Sequence, residues 1–166
     1  DKSGDLRFVQ LNDKERLWHI WQSYLFNFCK KEYTSCKVYA PVFKDEGGNK
    51  YETDLVVERK DKNYAIIIDA KWYETSRADT TNISQVNTYE DLYIKTHNGS
   101  RTDGLLFYAS DINVPNSAIN KFEKGKTVTQ IYININQDKE LLENDIISII
   151  NETLSNSDSK FTQEDT

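Results

Sequence analysis

The stretch from Tyr51 to Lys71 constrains this chain more than any other. It holds two strand-like runs, Tyr51–Glu58 and Tyr64–Lys71, separated by the polar turn Arg59–Asn63. The second run is apolar from Ala65 to Ile68, meets Asp69, and continues as Ala70-Lys71-Trp72-Tyr73. Its three consecutive isoleucines favour a pleated strand over a helix. A hairpin centred between Asp61 and Lys62 sets Leu55 opposite Ile68, Val57 opposite Ile66, Asp54 opposite Asp69 and Glu52 opposite Lys71. Directly opposed residues bring their Cβ atoms to about 4.5–5.5 Å. One face then carries Leu55, Val57, Ile66, Ile68 and the small Ala70, a core layer. The other carries three acids and one lysine at one end.

Two carboxylates held face to face repel each other unless something neutralises them. A divalent cation bound by oxygen is the economical answer, and Mg2+ takes one or two carboxylates plus waters and substrate phosphate. Lys71 shares the face of Asp69, where its amine can act on an attacking water or on charge building at a phosphate. Register and spacing suggest a metal-assisted phosphodiester hydrolase. The plainer reading is a solvated hairpin face on which Lys71 pairs with Glu52. Pattern alone leaves both open, although an acid closing a buried strand is harder to explain without a role.

The rest of the chain supplies a framework. Leu17, Ile20, Trp21, Tyr24, Leu25 and Phe28 recur at helical steps within Leu11–Lys31. A strand is expected at Cys36–Phe43, then the two runs above, a loop at Glu74–Thr81, and a helix over Asn82–Thr96 closed by Asn98-Gly99. Strands at Gly104–Ala109 and Val128–Ile135 follow, joined by a loop, and Lys139–Leu154 reads as a final helix. A helix between strands implies an α/β (α+β) fold with a mixed central β-sheet flanked by helices. Residues 1–154 form one domain, and the polar, acidic 155–166 is expected to be a disordered tail.

Composition removes several classes. The 166 residues suit one domain, and 37% hydrophobic residues with two prolines and six glycines exclude collagen-like and wholly disordered chains. No apolar run is long enough for a membrane span, and Asp1-Lys2-Ser3-Gly4-Asp5 is no secretion signal. Cys29 and Cys36 are too few for a disulfide framework and read as reduced thiols, so a cytoplasmic setting is expected. The chain contains no methionine, which reads as an excised domain or a processed chain. A net charge of −6 argues against a general polyanion-binding surface, though a local basic patch beside a metal would suffice for nucleic acid.

Asp54 followed fifteen positions later by Asp69-Ala70-Lys71 resembles the PD-(D/E)xK nuclease motif, with Thr53 where many members have proline. The order of elements from about Leu11 to Ile135 also fits that superfamily's restriction-endonuclease-like core. The phrase Ile66-Ile67-Ile68-Asp69-Ala70-Lys71-Trp72-Tyr73, with Gln85 and Tyr89 on the next helix, is most similar to McrC-type nuclease subunits and to related restriction endonuclease domains. The resemblance implies that Asp54, Asp69 and the backbone carbonyl of Ala70 bind Mg2+, with Mn2+ able to substitute. It implies that Lys71 acts on the nucleophilic water and the scissile phosphate, and that Gln85 contacts phosphate or water. Such families often carry a glutamate on the first helix. Here Gln22 stands in that place, with Glu15 about two turns earlier, which puts a second metal in question. The implied function is a Mg2+-dependent DNA endonuclease domain of a restriction or defence system, with target recognition in a further domain or subunit. Such domains cut one strand per site, so cutting both strands calls for a homodimer. The alternative is a non-catalytic nucleic-acid-binding or assembly module that keeps the fold; an RNA-directed nuclease is a third reading.

Remaining features are plainer. His19 and His97 lack partners at ligand spacing and read as surface or structural residues. Trp18, Trp21, Tyr24 and Phe28 read as core rather than a stacking platform, while Trp72-Tyr73 fits either a nucleotide contact or packing. Two basic groups, Arg77 with Lys95 and Arg101, and Lys121 with Lys124 and Lys126, suit phosphate contacts or solvated loops equally. No glycine-rich phosphate loop is present, so any nucleotide-driven motor belongs to another chain.

Overall fold

The computed structural model describes residues 14–73, 80–110, 118–121 and 126–159. In chain order the elements are α1 (Lys14–Glu32), β1 (Lys37–Tyr39), β2 (Val42–Lys44), β3 (Lys50–Glu52), β4 (Leu55–Arg59), β5 (Tyr64–Trp72), α2 (Thr80–Thr96), β6 (Arg101–Ser110), β7 (Ala118–Lys121), β8 (Thr127–Asn134) and α3 (Lys139–Ser159). Six strands form one mixed sheet in the order β1-β4-β5-β6-β8-β7, and β2 with β3 makes a separate two-stranded ribbon. The class is mixed α/β, as expected. β5, β6 and β8 run parallel, whereas β1–β4, β4–β5 and β7–β8 are antiparallel. Parallel neighbours need a crossover, and α2 supplies it between β5 and β6.

Helices cover both faces of the central strands. One side buries Leu55, Val57, Ile66 and Ile68 against Trp21 and Leu25 of α1 and Ile146 and Ile150 of α3. The other side buries Val56, Ala65, Ile67 and Leu106 against Val86, Tyr89 and Tyr93 of α2. β5 is consequently buried without a break from Tyr64 to Ala70, the continuous pattern of a strand packed on two faces. Each such aliphatic side chain contributes about 1.5–3 kcal/mol by leaving water. The second hairpin face is therefore apolar through its middle, with charge at its two ends: Asp54 and Asp69 at one and the buried Glu58 at the other.

The register of the two motif strands is the expected one, with Leu55 opposite Ile68 and Val57 opposite Ile66. Their lengths are not. The first run divides at Thr53, whose backbone N–H and Oγ1 both donate to the Pro41 carbonyl, at 3.2 and 2.7 Å. That tie pulls the preceding residues out of the main sheet, so Glu52 faces Val42 and not Lys71. The expected strand Cys36–Phe43 divides likewise, around Ala40-Pro41, because proline cannot donate to a ladder.

Two further corrections concern the second half. β7 lies where only a loop was expected between Ala109 and Val128, and it pairs antiparallel with β8. The helix α3 does not end at Leu154 but runs on to Ser159, so the tail is ordered through that residue. Ser157 is fully buried: Arg59 Nη1 donates to its Oγ and Arg101 Nη2 to its carbonyl, both at 2.9 Å. Those two arginines pin the last turn to β4 and β6. Residues 160–166 lie outside the described residues. Cys29 and Cys36 are free thiols, and burial pushes the Cys29 thiol up to about 12. Among the described residues no helix is long and apolar enough to cross a membrane.

Candidate active site

The β4–β5 ladder stops at Leu55 and Ile68, and the next opposed positions are Asp54 and Asp69. There a side chain takes over from the backbone. With the chain before Asp54 drawn away toward Pro41, Asp54 Oδ2 accepts the Ala70 backbone N–H at 2.8 Å. The Asp69 carboxyl faces the same group. Asp69 is 2% exposed, and its Oδ2 is buried without a hydrogen bond. Lys71 Nζ lies 3.1 Å from that oxygen, close enough for an ion pair but not aligned for a hydrogen bond.

Charge in this corner is unbalanced. Burial raises the Asp54 carboxyl well above the usual carboxylate range, and the facing Asp69 adds to the rise, against the opposing pull of the Ala70 N–H and Lys71. Without a metal ion, burial and the facing acid favour the protonated form of Asp54.

Helix α1 closes the site from one side. The indole N–H of Trp18 donates to the Ala70 carbonyl, and Lys71 Nζ stands 5.0 Å from the centroid of the Trp18 ring. The sequence reads Trp18 as core rather than a stacking platform. The core positions are in fact Leu17, Trp21 and Leu25, with Trp21 Nε1 donating to the Phe107 carbonyl at 3.1 Å. Trp18 sits beside that stripe, half-buried; its offset from the four-residue spacing of Leu17, Trp21 and Leu25 was the signal available. Gln22, one turn further on, is also half-buried, and the Glu15 side chain lies outside the described residues.

Helix α2 closes the site from the other side. Gln85 Nε2 donates to the Tyr89 hydroxyl at 2.8 Å. Burial first, then the charges of Asp69 and Asp54, push that hydroxyl up to about 12, so it lies within their field. The Tyr51 ring of the β2–β3 ribbon meets Tyr89 edge-on, with centroids 6.4 Å apart.

The donors present are hard oxygens: two carboxylates and the Ala70 carbonyl, which keeps one lone pair beyond the Trp18 bond. Among the described residues no group of three or more His, Cys, Asp or Glu side chains is placed to hold a metal. A Cys/His zinc centre is not offered. Mg2+ or Mn2+ fits, since such ions retain several waters and need few protein ligands. Asp69 Oδ2, buried without a hydrogen bond, is the feature such an ion would satisfy.

Other sequence candidates fall elsewhere. His19 is exposed and stacks on Trp18. His97 stacks on Tyr93, with Nε2 3.7 Å from Glu58 Oε2. Glu58 accepts the hydroxyls of Tyr39 and Tyr93, each at 2.8 Å. Burial works to raise its carboxyl, but those bonds and the His97 and Lys37 charges hold it below the usual range. A cleft of about 440 Å3 opens there, lined by Lys37, Glu58, Lys60 and His97, at the far end of the ladder from Asp54 and Asp69. Lys126 is buried and paired with Asp91 and Asn87, so it is no phosphate contact. Lys95 pairs with Glu46, and Arg101 is committed to Ser157. Arg77, Lys124 and the Lys121 side chain lie outside the described residues. Trp72 packs against the α1 side of the core, and Tyr73 packs edge-on against Tyr108 and Tyr132.

No family model matches the chain. It is similar to the type IV methyl-directed restriction enzyme EcoKMcrBC of Escherichia coli (strain K12), with 27% identity over 172 residues. That match covers 91% of this chain and 47% of the relative, so the chain spans about half the length of the protein it resembles. Among solved structures, the refined half-complex from the tetradecameric assembly of Thermococcus gammatolerans McrB AAA+ hexamers with bound McrC contains a chain of the same fold. The TM-score is 0.57 at 10% identity, over 80% of this chain and 33% of that one.

Proposed function

We propose that this chain is a divalent-metal-dependent DNA endonuclease domain of a restriction system. The carrying observation is the pair Asp54 and Asp69, brought face to face at the end of a buried ladder with Asp69 Oδ2 lacking a hydrogen bond and Lys71 beside it. Similarity to a methyl-directed restriction enzyme supports the defence context and a DNA substrate.

The residues divide the work as follows. Asp54, Asp69 and the Ala70 carbonyl would hold Mg2+ or Mn2+, which when bound polarises the scissile phosphate and lowers the pKa of attacking water. Lys71 Nζ orients that water and stabilises negative charge as it grows on the phosphoryl oxygens. Gln85, steadied by Tyr89, presents its amide to the phosphate or water. Selection of the DNA target falls to a partner domain or subunit, since the chain spans only about half of its relative.

The test is cleavage of plasmid and linear DNA with Mg2+, Mn2+ or EDTA, beside Asp69→Ala. Metal-dependent cutting that disappears in the variant is expected; equal cutting by the variant sinks the proposal. A second reading, a DNA-binding module without catalysis, draws on the lack of a third acid among the described residues. DNA binding that survives EDTA, with no cutting even beside a partner subunit, would select it.

A further inference from the structure

Trp18 touches two parts of the candidate site at once. Its indole N–H is on the Ala70 carbonyl and its ring faces the Lys71 ammonium. The Ala70 carbonyl and the Lys71 N–H belong to one peptide plane, so a bond that fixes the carbonyl also fixes the direction in which Lys71 leaves the strand. The ring contact is of the cation–π kind, favourable when a cation stands within about 6 Å of an indole centroid.

The consequence appears when Asp69 is neutralised. In the metal-free arrangement Lys71 has two attractions, the Asp69 carboxylate at 3.1 Å and the Trp18 ring at 5.0 Å. A divalent ion on Asp69 removes the first and repels the ammonium. The ring is then the attraction that remains. Packing does not explain the placement, because Trp18 is half-buried while Leu17, Trp21 and Leu25 fill the core beside it.

We propose that Trp18 is a positioning residue that sets the Ala70 carbonyl for the metal and keeps the Lys71 ammonium at the site once the metal has taken Asp69. The inference rests on the nuclease reading of Asp54, Asp69 and Lys71.

Two variants separate the two contacts. Trp18→Phe keeps a ring face and loses the donor; Trp18→Leu loses both. Calorimetric titration with Mn2+ in the absence of DNA is expected to show the Kd raised about fivefold in both, the worth of one hydrogen bond. Steady-state cutting at saturating Mn2+ should show kcat lowered at least tenfold further in Trp18→Leu than in Trp18→Phe, with KM for DNA unchanged. Wild-type Kd and kcat in both variants, alongside their loss in Asp69→Ala, overturn the inference and leave the nuclease reading intact. So does a fall in kcat that only tracks a fall in Tm, which marks a packing role. A wild-type domain that binds no Mn2+ overturns both readings together.

Discussion

Asp54 Oδ2 accepts the Ala70 backbone N–H at 2.8 Å, so a side chain holds the end of β5 where the neighbouring strand has departed. This bond and the metal ask different things of one residue. Asp54→Asn keeps an oxygen to accept the N–H and replaces a carboxyl that burial already favours in its neutral form. The metal-free variant is expected to melt no lower than wild type, yet to bind no Mn2+ and cut no DNA. Asp54→Ala, lacking the acceptor, should melt lower. Scanning calorimetry beside metal titration reads both, and an equal fall in Tm for the two variants refutes the division.

Lys71→Met keeps the length of the side chain and removes its charge. Metal binding should persist or tighten, because the ammonium repels a divalent ion. Cleavage should fall by a factor of roughly 100 or more, the scale of losing one preorganised charge contact to a transition state. Loss of Mn2+ binding in this variant contradicts the assigned role.

Glu90 gives the fold a pH slope. It is fully buried on α2, accepts Thr102 Oγ1 at 2.6 Å, and has Oε1 without a hydrogen bond. Burial chiefly, with Asp103 and Asp91 adding to it against Thr102 and Lys126, pushes its carboxyl up to about 8 from 4.5. The folded state therefore keeps a proton that the unfolded chain gives up. Stability from this group is complete below pH 4.5 and is lost as pH climbs through about 8. Glu90→Gln should flatten the decline of Tm between pH 5 and 8. An unchanged slope contradicts the assignment.

Gly104 is a close-approach position. A Cβ there would stand 2.6 Å from Val86 Cγ1, 2.9 Å from Glu90 Oε1 and 3.2 Å from the Thr127 carbonyl. Gly104→Ala must push α2 off β6, at a cost of about 1–3 kcal/mol in denaturant unfolding. A cost near zero would mean that the helix seats more loosely than these distances state.

Much of this was legible where the cause is local. The run Ala65–Ile68 announced β5, and a symmetrical turn fixed its register against β4 closely enough to place Asp54 opposite Asp69. The crossover α2 followed from its helical run between strands. What the sequence concealed depends on distant partners. Thr53 leaves the sheet for a carbonyl at Pro41, and nothing in its neighbours announces that choice. The end of α3 looks polar and unfoldable until Arg59 and Arg101 are seen to reach Ser157. Trp18 was hidden for a different reason: a tryptophan beside a core stripe reads as packing, and only the carbonyl across from it reveals otherwise.

The sheet's margins bear on what this domain can pair with. Its long strands β5, β6 and β8 are all interior, while the outermost strands β1 and β7 are three and four residues long. Among the described residues these outermost strands offer a visiting strand only three and four residues of backbone, the kind of short edge that discourages stacking of one copy on the next. On the proposed restriction-system reading, a companion subunit would be met chiefly by side chains on helix and loop surfaces, where contact can be made selective and reversible.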